Sequence, residues 1–282
     1  MASSERAPIK LRHALVLGLA QGPTELLPVS SSAHTTLIPQ LLDWPDDELD
    51  PELRKSFELA LHAGAGLALA LDMRHELLAV VGRLDRRRVA VVALSLAPAA
   101  GAGLALRPLI ERRLGGPRSI AAGLAFGALA MAGVERRGAA GRRTDDDARP
   151  ADGLALGLAQ AVALAPGVSR YGATLTVARA RRFSPEAAQA LSWHAALPVV
   201  LGGGALESVR LARRRTPDGT LAPLTAAAGA AFASTLLSAR LLRRPERALR
   251  SLLPWALYRV VLAALVLARE HRSRTAKPSS NP

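Results

Sequence analysis

The 282-residue chain has no cysteine, and aromatic residues make up only 3% of it. The absence of cysteine excludes disulfides, a thiolate nucleophile and a zinc–thiolate centre. The scarcity of aromatics bears on the formal net charge of +14. A nucleic-acid binder gathers its basic residues on one face with aromatics between them, and this chain does not. Charge itself is missing over long stretches: Val89–Leu106, Ser119–Val134, Gly153–Ser169, Ala187–Leu206 and Gly219–Ala239, spans of 16 to 21 residues. Arginines crowd the gaps, as in Arg86–Arg88, Arg136–Arg137, Arg142–Arg143, Arg213–Arg215 and Arg243–Arg244. Uncharged spans punctuated by arginine describe a polytopic membrane protein whose loop cations set topology and meet anionic lipid headgroups. That pattern excludes a soluble two-domain enzyme and a disordered chain. The apolar run after Lys10 leads into a polar, motif-like stretch, so no cleaved signal peptide is expected.

The apolar spans are rich in Ala, Leu and Gly, which favours helices over membrane strands. Six full spans are predicted at about 57–73, 89–107, 119–135, 186–206, 220–241 and 251–268. Two further stretches, 14–42 and 153–180, are broken in the middle, at Pro28–His34 and at Pro166–Gly172. Broken backbone at membrane depth is tolerated only where protein or a water-filled cavity satisfies it. Both stretches therefore read as re-entrant helix–loop–helix hairpins. The fold class is all-α, a single integral membrane domain over 1–282. Repeat one runs from about 10 to 135, a charged loop from 136 to 152, repeat two from 153 to 268, and a disordered basic tail from 269 to 282.

The halves echo one another. Leu17–Gln21 (LGLAQ) recurs at Leu156–Gln160, each copy is followed by a proline and a serine-containing break, and Leu61-His62-Ala63 is echoed by Trp193-His194-Ala195. Paired interrupted segments in corresponding halves point to a binding site at the repeat interface.

Ionisable groups within apolar sequence face a cavity or a partner. They are Glu25, His34, Glu58, His62, Arg170, His194, Glu207 and Arg259. Glu25, His34 and Arg170 occupy the breaks themselves. If the hairpins meet tip to tip, a carboxylate, an imidazole, several hydroxyls and a guanidinium converge. The planar fork of Arg170 and the amides of short Ser/Gly turns suit phosphate oxygens. For the others a structural role is expected. Ser32 and Thr35 would bond to nearby backbone, and Arg259 would neutralise a carboxylate such as Glu207 or reach headgroups. Glu58 and Glu207 would be interfacial. His62 and His194 are equally consistent with packing.

The stretch LGLAQGPTELLPVSSSAH (17–34) resembles the first signature of the undecaprenyl-diphosphate phosphatases, the bacitracin-resistance family, and QAVALAPGVSRYGAT (160–174) resembles the second. FELALHAG (57–64) and WALYR (255–259) are similar to weaker family blocks. The resemblance implies an inverted-repeat fold and hydrolysis of a polyprenyl diphosphate to the monophosphate, aided by Mg2+ or Ca2+. It also implies the cytoplasmic membrane of a bacterium, with the site towards the outer face. Carried over by position, Glu25, Ser31, His34 and Arg170 are the catalytic candidates, and Glu25 is the candidate metal ligand. Ser30, Ser169, Arg170 and Thr174 are candidates for the phosphate, with Gln21, Ser32 and His62 as secondary candidates. The chain departs from the family pattern at Gln21, usually glutamate, at Tyr171, usually serine, and at His62, usually glutamine. Loss of one carboxylate at Gln21 removes a hard ligand and a negative charge from any cation site. The resemblance leaves open whether Ser31 attacks covalently or binds while water attacks. Inverted repeats with broken helices also build transporters, so movement of a lipid-linked phosphate without hydrolysis is the competing expectation. The implied partners are the polyprenyl lipid substrate and membrane lipids, and no nucleic acid.

Overall fold

The computed structural model describes residues 10–42, 44, 51–82, 85–138, 141–212, 219–241 and 250–275. Helices α1 (Leu11–Leu26) and α2 (Ser31–Leu41) form the first hairpin, followed by α3 (Pro51–Asp72), α4 (Arg74–Gly82), α5 (Arg86–Arg113) and α6 (Pro117–Arg136). The second hairpin is α7 (Pro150–Val162) and α8 (Arg170–Ala180), followed by α9 (Pro185–Ala212), α10 (Leu221–Leu241) and α11 (Leu253–Thr275). The expected six spans correspond to α3, α5, α6, α9, α10 and α11. Of these, Arg86–Leu106 within α5, all of α6 and all of α10 are long and apolar enough to cross a membrane by length and composition. Their outward faces are apolar, as at Leu104 and Leu129, which suits lipid contact. The chain is a multi-pass membrane protein.

Two features differ from expectation. The short helix α4 lies where a loop was expected. The tail is helical through Thr275, and Arg118 at the start of α6 pairs with Glu270 at 3.1 Å, so the tail's first turns have a partner to dock on. The arginine clusters at 213–215 and 243–244, the side chain of Glu207, the N-terminal residues before Lys10 and the tail at 276–282 lie outside the described residues.

Local chemistry explains the hairpins. Pro28 disfavours helical backbone at Leu27, which adopts an extended conformation (φ −103°, ψ 152°) and ends α1. After α7, which ends at Val162, the break runs on through Pro166 and Gly167, the latter at φ +88°. Each return helix starts at a serine cap: Ser30 Oγ accepts from the Ala33 N–H and Ser169 Oγ from the Gly172 N–H.

The repeat is visible in the packing. Helix α1 packs on α10, and its counterpart α7 packs on α5, so each hairpin is held by a helix of the other half. The matching glycines make these approaches close. A Cβ on Gly18 would lie 2.8 Å from the Ala227 carbonyl oxygen, and one on Gly157 2.3 Å from that of Leu94. His13 stacks on Trp44 across the open end of the first hairpin (centroids 3.8 Å apart). At the open end of the second, Asp152 is buried between Arg143, 2.7 Å away, and Arg181. Arg88 reaches Asp146 on that same side. Three core clusters support the frame. One surrounds the second hairpin, one joins α1, α3 and α10, and the third seats α2 on α6 and α11 through Leu37, Leu124 and Leu262.

Candidate active site

The two breaks bring the N-termini of α2 and α8 to the middle of the structure. Each eleven-residue helix presents free backbone N–H groups and the positive end of its dipole, an arrangement that favours an anion. Ser30 has φ +75°, a left-handed conformation uncommon outside glycine. Its hydroxyl also lies 3.2 Å from that of Ser32.

Between these termini the hairpins meet. The Arg170 guanidinium lies 3.6 Å from the Glu25 carboxylate, and both side chains retain some exposure (26% and 10%). Gln21, one turn before Glu25, donates its amide N–H to that carboxylate at 3.0 Å. Ser31 at the start of α2 and His62 on α3 both lie close enough to bear on the Glu25 charge. His62 Nδ1 donates to the Glu58 carbonyl oxygen at 2.8 Å, which turns the rest of its ring outward from its own helix. The structure thus assembles Glu25, Gln21, Ser31, His62 and Arg170 from three helices of the first half and one of the second.

His34 sits in a neighbouring arrangement. Its Nδ1 donates to the Ser30 carbonyl oxygen at 2.8 Å, and the Tyr258 hydroxyl lies 2.6 Å from its Nε2. Both ring nitrogens are therefore engaged, and neither contacts Glu25 or Arg170. Tyr258 was not singled out from sequence, although it lies in the WALYR block.

Arg259 differs from expectation. It is fully buried, and among the described residues it pairs with no carboxylate. Its guanidinium instead donates to backbone carbonyl oxygens: Pro28 at 3.1 Å in the first break, Gly167 at 2.9 Å in the second, and Gly123 and Leu124 on α6 at 3.3 Å each. The chain leaves carbonyls unpaired wherever a helix is broken, and one cation with five N–H groups satisfies both breaks. Gly127 makes room for it, since a Cβ there would lie 2.1 Å from Nη2.

Other candidates point elsewhere. Thr174 is fully buried and gives its hydroxyl to the Arg170 and Tyr171 carbonyls, 3.1 Å each. Thr35 donates to Ser32 carbonyl oxygen, the expected backbone role. Tyr171 is buried against Trp193 with centroids 4.7 Å apart, filling the second-half core. Gln160, the repeat partner of Gln21, gives its amide to the Ser95 and Ala195 carbonyls and has no carboxylate one turn on. The site is asymmetric although the scaffold is repeated.

The residues present fit a divalent cation of one kind only. Among the described residues no three His, Cys, Asp or Glu side chains form a metal cluster. Gln21 Oε1, however, is buried without a hydrogen-bond partner on the residue that already touches Glu25. One carboxylate and one orphaned amide oxygen do not make a closed protein cage. They do suit an ion that shares its coordination with substrate phosphates, the usual habit of Mg2+.

Paired broken-helix hairpins whose hydroxyl-capped tips meet at a carboxylate–guanidinium pair, set among apolar membrane-length helices, make this an all-helical, multi-pass membrane protein. Residues 14–265 match the family described as bacitracin resistance protein BacA, and the chain belongs to that family. It is 38% identical over 273 residues to a protein of Geobacter sulfurreducens named undecaprenyl-diphosphatase, covering 92% of this chain and 97% of that one. It is 37% identical over 272 residues to a protein of the same name from Alcanivorax borkumensis, covering 90% and 97%.

Proposed function

We propose that this protein is a membrane hydrolase that converts undecaprenyl diphosphate to the monophosphate and inorganic phosphate, recycling an envelope lipid carrier. The observation that carries this reading is the Glu25–Arg170 pair, 3.6 Å apart between two helix N-termini. Phosphoryl transfer is catalysed mainly by positioning and charge stabilisation, and a guanidinium fork with two convergent dipoles offers both. Arg170 clamps the terminal phosphate, with Ser30 and Ser169 beside it at the helix starts. Thr174 supports the backbone of that turn.

Water, or the Ser31 hydroxyl, attacks the terminal phosphorus. The bond from that phosphorus to the bridging oxygen breaks, and the lipid monophosphate leaves. Glu25 orients the attacking group through its contact with Ser31, and His34 exchanges the proton. A bound Mg2+ or Ca2+, held by Glu25 and the Gln21 amide oxygen, would neutralise phosphate charge. His62 steadies the Glu25 charge, and Ser32 holds the Ser30 hydroxyl. The catalytic assembly operates in a bacterial cytoplasmic membrane, with the active site towards the outer face. The transport alternative uses the same residues and adds none of its own, and membership of the family favours hydrolysis.

The test is phosphate release from C55 diphosphate by purified protein in detergent, where transport has no meaning. Release should be lost in both Glu25→Ala and Arg170→Ala. Full activity in both, or binding without release in the wild type, would sink the reading.

A further inference from the structure

Tyr258 lies on α11, 224 residues from His34 on α2, yet its hydroxyl is 2.6 Å from His34 Nε2. The two rings lie nearly parallel, 9° apart in plane, with centroids 5.8 Å apart. The other nitrogen, Nδ1, faces the Ser30 carbonyl oxygen, which can only accept, so Nδ1 carries hydrogen whether the ring is neutral or charged. Nε2 is therefore the one atom at which His34 gains or loses a proton, and in this structure a phenol covers it. The ring itself is buried, whereas Tyr258 is 43% exposed. The next residue, Arg259, anchors this turn of α11 to both breaks, which fixes where the phenol can stand.

We propose that Tyr258 is the proton port of His34: protons reach and leave Nε2 through the Tyr258 hydroxyl. This rests on the reading of His34 as the acid–base group of the hydrolase. The step balances without a further reactant. The attacking water or serine hydroxyl loses its proton to Tyr258 Oη as the phenol's own proton passes to Nε2. The O–H bond of the attacking group and the phenolic O–H break, while a new Oη–H and an Nε2–H form. Tyr258 ends neutral, His34 ends as imidazolium, and the attacking oxygen uses the freed electron pair on phosphorus. The reverse transfer delivers the proton to the departing phosphate. A hydroxyl suits this because it donates to a neutral imidazole and, after rotating, accepts from the imidazolium. A phenyl ring does neither. Since Tyr258 takes the proton from the attacking group itself, it is a catalytic residue in this step, with His34 as the base behind it.

The test is steady-state hydrolysis of C55 diphosphate by full-length wild type, Tyr258→Phe, His34→Gln and the double variant in detergent. Tyr258→Phe should lower kcat about tenfold, the worth of one hydrogen bond in the transition state, and leave KM unchanged. The double variant should be no slower than His34→Gln alone. A wild-type kcat in Tyr258→Phe, or losses that multiply in the double variant, would overturn the port. The 15N resonance of His34 Nε2 reads the same contact without turnover. It should move in Tyr258→Phe, and an unchanged resonance counts against the proposal. Wild-type activity in His34→Gln would remove the acid–base reading itself, whereas an inactive His34→Gln beside an unimpaired Tyr258→Phe removes only the port.

Discussion

The Glu25 carboxylate and the Arg170 guanidinium, one from each hairpin, stand 3.6 Å apart with some of each surface still open. Contact at that distance without full burial leaves the guanidinium free to take a second anion. Arg170→Lys keeps the charge and loses the planar fork, so it separates clamping from simple attraction. Its kcat should fall about 100-fold, the usual loss on removing one donor to transition-state charge. Arg170→Ala should fall further. Phosphate release at saturating substrate measures both, and equal activity in Lys and Arg would refute a bidentate role.

Gln21 holds the clearest spare acceptor in the site. Its Nε2 is committed to Glu25 while its Oε1 is buried and unpaired. Gln21→Glu places a second carboxylate one helical turn from the first, where the two repel unless a cation lies between them. The variant should therefore need less Mg2+ or Ca2+ for half-maximal activity, by about tenfold. It should also be less stable than wild type in chelator, because the repulsion is then uncompensated. A metal titration settles this, and superimposable curves would dismiss a cation at this position.

Much of the architecture was legible because membrane physics writes it plainly. Apolar runs marked where six helices lie, and among the described residues α5, α6 and α10 have the length and composition of membrane spans; the Pro, Ser and Gly breaks marked the hairpins, since each local rule acts over a few residues. The Glu25–Arg170 meeting was legible too, because charge inside apolar sequence has few places to go. Arg259 was not. Its partners are backbone carbonyls of Pro28, Gly123, Leu124 and Gly167, and a carbonyl leaves no signature in a sequence. The Tyr258–His34 contact was hidden by 224 residues of separation. Thr174 matched a signature position, yet its helix turns the hydroxyl inward onto its own backbone.

Arg259 makes a sharp expectation for stability. Arg259→Met leaves the two break carbonyl oxygens, of Pro28 and Gly167, without their donor, and even partial rehydration should leave a loss of about 3 kcal/mol. Gly127→Ala attacks the same feature from the other side, because its methyl would meet Nη2 at 2.1 Å. Both variants should lower the thermal midpoint in detergent and reduce phosphate release together, since each disturbs both breaks. Gly133→Ala, with open space around it on the same helix, is the control and should change neither. An undisturbed Gly127→Ala would show that the guanidinium is not confined there.

At the opposite end of the second hairpin, Asp152 predicts how the fold responds to acid. Burial alone would raise its carboxyl, but hydrogen bonds from Arg143, Arg181 and the Arg149 N–H outweigh that and hold it at about 2, against 3.8 in an open chain. A depressed folded value means the unfolded chain binds the proton first. The pairing therefore stabilises the fold fully above about pH 4, and the contribution disappears as pH falls towards 2. Its size is about 2 kcal/mol, from roughly 1.4 kcal/mol for each unit. Hydrogen bonds from the Thr144 N–H and hydroxyl also hold the Asp147 carboxyl below its ordinary value, so the comparison must be between variants. Asp152→Asn should be about 3 kcal/mol less stable at pH 7, because Arg143 and Arg181 lose their shared partner. Between pH 4 and pH 2 it should lose less than the wild type does, so the two stability curves converge. Parallel curves across that interval would place the acid sensitivity of this loop in other carboxylates.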